Sequence, residues 1–282
     1  MREVVIHSFE ELQNLVFKDC YDSKIHRYRN DYVYRGVSDD NYPLITTLNR
    51  ECGHNLNLEK NIIRSFKKYG FDELKDINSF WQMLATGQHF GLPTRLLDWT
   101  YSPLVAAHFV TVNLNDYDKD GAIYCIDTNE SLKRMPEPLK SELIKRDMSS
   151  FTVSLLERNA KNLGELEALS DDPFFLFFEP ASGDNRMINQ YSLFSICSNS
   201  KVLISDLVEE DSSLYKIIIP KENKLEIRDK LDYINISERV IYPGLDSVCS
   251  WIARRYAKIG EYFMSFVVIS GASSGIGKEF AK

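Results

Sequence analysis

Residues 88–110 constrain the fold more than any other stretch. Ser102-Pro103 opens a helix, because proline suits the first helical turn. The body that follows, Leu104-Val105-Ala106-Ala107-His108-Phe109-Val110, is apolar almost all round. A helix without a polar face has to be enclosed by other elements. Just before it runs Gln88-His89-Phe90-Gly91-Leu92-Pro93-Thr94-Arg95-Leu96-Leu97-Asp98-Trp99-Thr100, in which Gly91 and Pro93 force a turn and Arg95 and Asp98 flank two leucines. With the leucines buried, both charges sit at the mouth of the core and need ionic or hydrogen-bonding partners. Arg95 and Asp98 could pair with each other and fix the loop. Alternatively, with Gln88, His89, Thr94 and Thr100, they line a binding cleft beside the buried helix. The variety of polar groups in so short a stretch favours the cleft.

Around this centre the periodicity places further elements. Ser8 caps a helix over Phe9–Phe17, with Glu11 as capping-box partner. Tyr32-Val33-Tyr34 is a short strand ending at Arg35-Gly36, and 37–56 reads as loop. Helices follow over Leu58–Tyr69, closed by Gly70, and from Phe80, capped by Ser79, to His89. Ala122–Ile126 is strand-like, and residues 129–170, broken by Pro136 and Pro138, read as a polar, helix-prone insert. Strand-like runs then dominate: Phe174–Phe178, Tyr191–Cys197, Lys201–Ile204 and Tyr215–Ile219. Helices from about Glu222 to Leu231 and Asp246 to Ala257 close the pattern. Helices first and strands later give an α+β fold with a buried central helix and a mixed, strand-rich second half.

The chain has 282 residues, which suggests one large domain or two small ones and is enough for a sizeable core. A net charge of −7 argues against a general electrostatic grip on nucleic acid. The five cysteines are scattered, with no CxxC or zinc-ribbon spacing, so no metal site is expected. Neither an apolar signal core nor a bilayer-length apolar stretch occurs. The expectation is a soluble, cytoplasmic protein with reduced cysteines.

Several of these residues recur as a pattern. Tyr34-Arg35-Gly36, the 88–100 run, Ser102-Pro103-Leu104, Ala107-His108-Phe109 and Asp120-Gly121-Ala122-Ile123 together resemble the FRG domain family, named for a Phe-Arg-Gly motif. Looser likenesses are Leu44–Arg50, Arg186-Met187-Ile188-Asn189-Gln190 with Phe194, and Tyr242-Pro243-Gly244-Leu245-Asp246. The resemblance spans about 30–257, and its 88–100 motif is the specific one. The family brings no settled activity.

The order of motifs is similar to that of ADP-ribosyltransferase-like folds. That likeness implies an NAD-like nucleotide as cofactor. Arg35, with Gly36, would meet a phosphate, Gln88, Thr94, Arg95 and Thr100 would line the cofactor cleft, and Arg186 would join them. Gln190 would stand where such enzymes carry a catalytic glutamate, with His89 and Asp98 as further candidate catalytic groups. An amide can hydrogen-bond a ribose hydroxyl but offers no negative charge to a developing cation. Transfer would therefore need Glu179, Asp98 or His89 to supply it. The competing expectations are a non-catalytic binding module in a defence or stress system and, more weakly, a hydrolase using His89 and Asp98, for which no GxSxG elbow is present.

Residues 264–282 follow a different pattern. Phe266–Ser270 is strand-like, and Gly271, Gly275 and Gly277 form GxxxGxG. This resembles the first βα turn of short-chain dehydrogenases, which needs a βαβ unit and a distal acidic residue that are not in this sequence. The expected organisation is an FRG-type domain over 1–263 and a truncated, non-functional dinucleotide-binding start over 264–282.

Overall fold

Ten strands and thirteen α-helices are seen among the described residues, which in this computed structural model are 1–18, 20–53, 56–181, 188–208 and 214–256. The strands are β1 (Arg2–Val5), β2 (Tyr21–Asp22), β3 (Arg27–Tyr28), β4 (Tyr32–Val37), β5 (Leu96–Thr100), β6 (Gly121–Asp127), β7 (Phe151–Thr152), β8 (Phe175–Glu179), β9 (Ser192–Cys197) and β10 (Tyr215–Ile219). The helices are α1 (Phe9–Phe17), α2 (Thr47–Cys52), α3 (Leu56–Tyr69), α4 (Phe71–Leu74), α5 (Phe80–His89), α6 (Pro103–Thr111), α7 (Glu137–Ile144), α8 (Val153–Asn159), α9 (Leu163–Glu167), α10 (Ile204–Leu207), α11 (Lys221–Tyr233), α12 (Glu238–Ile241) and α13 (Leu245–Tyr256). Apart from the β2–β3 hairpin, the strands form one mixed sheet in the order β1-β10-β6-β4-β5-β9-β8-β7. The chain is an α+β fold in one domain, as the element pattern indicated.

The sheet is weakest at its centre. β4 pairs with β6 over six residues, from Tyr32↔Asp127 to Val37↔Ala122, but meets β5 only at Tyr34↔Thr100. β5 in turn pairs with β9 along its whole length. Two four-stranded halves therefore part between β4 and β5. Strand alternation sorts their side chains. Tyr34, Ile123, Cys125, Ile217 and Ile219 pack with α1, α6 and α11. Leu96, Leu176, Phe178, Phe194 and Ile196 pack with α5, α7, α8 and α9. On the opposite face Val33, Leu97, Trp99, Phe175, Phe177 and Leu193 are covered by Leu44 and α10.

α6 forms where expected. Ser102 Oγ caps it by accepting from Val105 N at 3.3 Å, and Ala106, Ala107, His108 and Val110 have no exposed surface. Only Tyr101 and Ser102 separate it from β5, so it folds straight back over β4. The approach is close: a Cβ built on Gly36 would lie 2.0 Å from the Ala106 carbonyl oxygen. α1 is likewise capped by Ser8, and the Glu11 carboxylate accepts from His7 N at 2.8 Å.

Four expectations are corrected. Loop 37–56 contains α2, capped by Thr46 Oγ1. Lys201–Ile204 is not a strand; Ile204 instead starts α10. Arg2–Val5 is an unforeseen strand, paired in parallel with β10. Residues 129–170 are no insert, because Leu139, Leu143, Leu155, Leu156 and Leu166 belong to the largest core cluster. Short amphipathic pieces separated by prolines and polar turns looked peripheral, yet each turns its leucines inward. The 264–282 segment lies outside the described residues, and so does Arg186. Among the described residues no helix is long and apolar enough to cross a membrane.

Two outcomes follow in chemical denaturation. Leu139→Ala should cost about 2–5 kcal/mol, the range for emptying a filled core site, whereas a peripheral insert would lose little. Gly36→Ala should cost about 3 kcal/mol or more, the upper end of overpacking, because the added methyl meets backbone that can retreat only by moving α6.

Candidate functional site

The gap between β4 and β5 opens into a cleft of about 270 Å³. Its floor comes from the face shared by Tyr34, Gly36, Asp98, Thr100, Ser192 and Phe194. The last turn of α5 supplies Gln88 and His89, and Phe109 and Tyr242 close the far side. The helix end that presents Gln88 and His89 is set by the turn glycine. Gly91 has φ +85°, its N–H donates to Gln88 O (3.0 Å), and Leu92 N donates to Gly87 O (2.8 Å). This is a Schellman ending, which needs a residue free to take positive φ.

A relay of hydrogen bonds runs from buried Thr94 to the cleft wall. Leu96 N donates to Thr94 Oγ1 (3.1 Å), Thr94 Oγ1 donates to Gln88 Oε1 (2.6 Å), and Gln88 Nε2 donates to Asp98 Oδ2 (2.8 Å). Arg35, on β4, reaches into the gap and donates to the Asp98 carbonyl at 2.8 Å. Its guanidinium stands 3.5 Å from the Asp98 carboxylate. The Arg35 side chain is 23% exposed and that of Asp98 54%, so solvent screens this pair strongly. Thr100 Oγ1 donates to the Gln190 carbonyl (2.6 Å) and accepts from Ser102 N (3.0 Å). Gln190 Oε1 lies 3.5 Å from Ser192 Oγ. Gln190 Nε2 is buried and has no hydrogen-bond partner among the described residues. A buried amide N–H without a partner is costly.

Of the ten residues singled out from the sequence, Arg35, Gly36, Gln88, His89, Asp98, Thr100 and Gln190 surround this one cleft. Thr94 and Arg95 do not line it. Thr94 is buried behind Gln88, whose amide it orients. Arg95 is 4% exposed and forms a structural hub. Its Nε donates to both Glu59 oxygens (2.8 and 2.9 Å), and Nη1 donates to Glu167 (2.7 Å) and to Ser198 O (3.0 Å). Arg95 and Asp98 are thus not each other's partners: Arg95 ties α3 and α9 to the sheet, and Asp98 faces Arg35. Glu179 lies elsewhere, accepting from Tyr101 Oη (2.8 Å) and Ser150 Oγ (2.9 Å).

Sequence reasoning gave no site role to Phe109, Tyr242, Ser192 or Trp99, which also line the cleft. Phe109 and Tyr242 had surfaced only within recurring motifs, and nothing local shows that they meet. Behind them His108 is fully buried, its Nδ1 accepting from Arg228 Nη1 at 2.7 Å. Arg228 is held by Asp232 (3.1 Å), and Arg254 bridges Asp232 (2.7 Å) and Glu238 (2.6 Å). Burial first, then the Arg228 and Arg254 charges, push the His108 imidazole down to about 2. It is therefore neutral and serves as an acceptor.

The FRG domain model matches residues 30–119. Over those residues the chain is similar to FRG domains. The matched span holds Arg35, Gly36, Gln88, His89, Asp98, Thr100 and Phe109, while Gln190, Ser192, Phe194 and Tyr242 come from beyond it. The matched span thus contributes one half of the cleft, and later chain completes it. No curated protein and no solved structure gives a match.

The buried imidazole carries a pH signature. An unfolded histidine titrates near 6.5, so its folded value is depressed. The stability it contributes is complete above about pH 6.5 and is lost as pH falls towards 2, at up to about 1.4 kcal/mol per pH unit. Unfolding titrations should show His108→Gln flattening that acid slope relative to wild type. An unchanged slope would mean that His108 titrates normally.

Proposed function

We propose that the cleft binds a nucleotide of NAD type, with Arg35 meeting a phosphate and Gln190 and Asp98 meeting a ribose. The observation that carries this reading is convergence. A partly exposed guanidinium, a partly exposed carboxylate and an unsatisfied amide donor come from three distant segments to one concavity. Guanidinium groups suit phosphate oxygens geometrically. A carboxylate accepts from ribose hydroxyls, and the Gln190 amide donates to a hydroxyl oxygen. A volume of about 270 Å³ lies just under the usual range for small-molecule sites, roughly 300–1,000 Å³.

ADP-ribosyl transfer is the finer form of this reading. Its oxocarbenium-like transition state needs a negative charge nearby, and Asp98 is the carboxylate that lines the cleft. One observation favours the alternative of a binding module without catalysis. Asp98 is held by Gln88, and an amide occupies the Gln190 position. In this chain that alternative could serve a defence or stress role through ligand capture alone.

Calorimetry with NAD and ADP-ribose tests the binding reading. Arg35→Ala should weaken both at least tenfold, about 1.4 kcal/mol, with folding intact because Arg35 is only lightly paired. If wild type binds neither ligand, the reading is lost. Nicotinamide release together with ADP-ribose attached to an acceptor, both abolished by Asp98→Asn, would establish the transferase form, whereas binding without release would establish the module.

A further inference from the structure

Between α1 and β4 the chain forms the β2–β3 hairpin, which takes no part in the main sheet. Every residue from 21 to 31 is exposed. Tyr21 pairs with Tyr28, and Asp22 with Arg27. Directly opposed residues share a face, so the two tyrosines stand together, with ring centroids 5.2 Å apart. Phe17, at the end of α1, meets the Tyr28 ring edge-on at 6.0 Å. Phe17, Tyr21 and Tyr28 are 56%, 52% and 64% exposed. Isolated surface rings need no explanation, but three in mutual contact make a patch. Two residues per strand enclose no core that the rings could serve.

The patch is also basic. Residues 17–30 hold Lys18, Lys24, Arg27 and Arg29 against Asp19 and Asp22, a local charge of +2 in a chain whose total is −7. Among the described residues none of the four cations is in an ion pair. Arg27 Nη1 donates to the neighbouring His26 carbonyl, a neutral group, at 2.9 Å. The nearby acids have other partners: Asp22 accepts from Lys24 N (2.8 Å) and Asp31 from Asn129 Nδ2 (3.0 Å). Uncompensated cations beside exposed rings suit a partner that is anionic and carries flat apolar groups.

We infer that the β2–β3 hairpin docks single-stranded nucleic acid, its rings stacking on bases and its cations meeting phosphates. Charge complementarity selects an anion, and the three rings select one that carries rings itself. Aromatic side chains on adjacent strands stack successive bases of a single strand with little regard to sequence. A duplex keeps its base faces stacked inside and offers this patch only phosphates. An anionic bilayer is gripped by a broad apolar face, and Ile25 is the one aliphatic side chain between Cys20 and Asn30. The net negative charge of the chain confines the contact to this hairpin, in place of a general electrostatic grip. The inference is independent of the cleft, which none of these residues lines.

Fluorescence anisotropy of the full chain tests this with labelled oligothymidylate and oligouridylate of about 12 nucleotides, within the usual range of site sizes. Both should bind at low salt. Log affinity should fall against log salt with a slope no steeper than about −2.8, the limit for four cations on a single strand. Tyr28→Leu keeps an apolar contact with Tyr21 and Phe17 but removes the flat face, and should weaken both oligomers about fivefold or more. Tyr28→Phe keeps the face and should bind like wild type. Lys24→Gln and Arg29→Gln should each flatten the salt slope, by about 0.7. All three positions are exposed, so the variants should fold. Failure of wild type to bind either oligomer overturns the inference, and so does equal affinity for the matching duplex. Binding that Arg35→Ala abolishes and the hairpin variants leave intact would place the strand in the cleft and overturn it too. Vesicles of phosphatidylserine and phosphatidylcholine form the last arm. Vesicle binding lost in Ile25→Ser, without affinity for the oligomers, would assign the hairpin to a membrane surface instead.

Discussion

The seating of α6 on β4 is the contact from which the rest of the architecture follows. β5 ends at Thr100, and after two intervening residues the chain is already helical and turning back over the neighbouring strand. At Gly36 the helix backbone comes so near that no side chain fits between. Because α6 is apolar on nearly every face, it must be enclosed, and α11 and α1 close over it on the β1-β10-β6-β4 half of the sheet. The other half has its own helical layer, α5 and α7–α9. A sheet whose halves are packed by separate helical layers need not be continuous between them. Here the continuity fails between β4 and β5, where a single residue pair remains. Backbone and side-chain groups that would face a neighbouring strand in an unbroken sheet face a cavity instead.

Much of this was legible in the sequence, for identifiable reasons. The apolar run 104–110, the capping serines Ser8, Ser79 and Ser102, and the glycine-ended α5 are local signals, and each element formed at the expected place. The site was legible to the same extent, because Gln88, His89, Asp98 and Thr100 lie within a few residues of the turn and strand that present them. What stayed hidden depends on long-range pairing. That Ile204 would start a helix and 129–170 would supply core leucines is decided by which surfaces remain to be covered, not by local propensity.

Arg35 and Arg95 show why residue type alone does not assign a role. Arg35 belongs to the Tyr34-Arg35-Gly36 motif and Arg95 to the 88–100 run, and both read as cofactor ligands. Arg95 stands just before β5 with Glu59, from 36 residues upstream, and Glu167, from 72 downstream, on either side of its guanidinium. Deep burial of a charge between two carboxylates is a structural commitment, since an isolated ion there would be prohibitively costly. The pairing is invisible in sequence because neither glutamate lies near the motif. Arg35 sits where the sheet parts and keeps contact with solvent.

The way Arg35 is held decides what it can still do. Its short bond goes to a neutral carbonyl, that of Asp98, while the carboxylate of the same residue stands farther off than the 2.7–2.9 Å usual for a charge-assisted bond. The carboxylate in turn is occupied by Gln88, which Thr94 fixes. The guanidinium is thus positioned without being neutralised, and its remaining donors are available to an anion. The carboxylate accepts from an amide at 2.8 Å and retains acceptor capacity for further donors. A cation and an anion 3.5 Å apart, each with its short bond to a neutral group, both keep capacity for further partners. A tight Arg35–Asp98 pair would have closed the cleft to them.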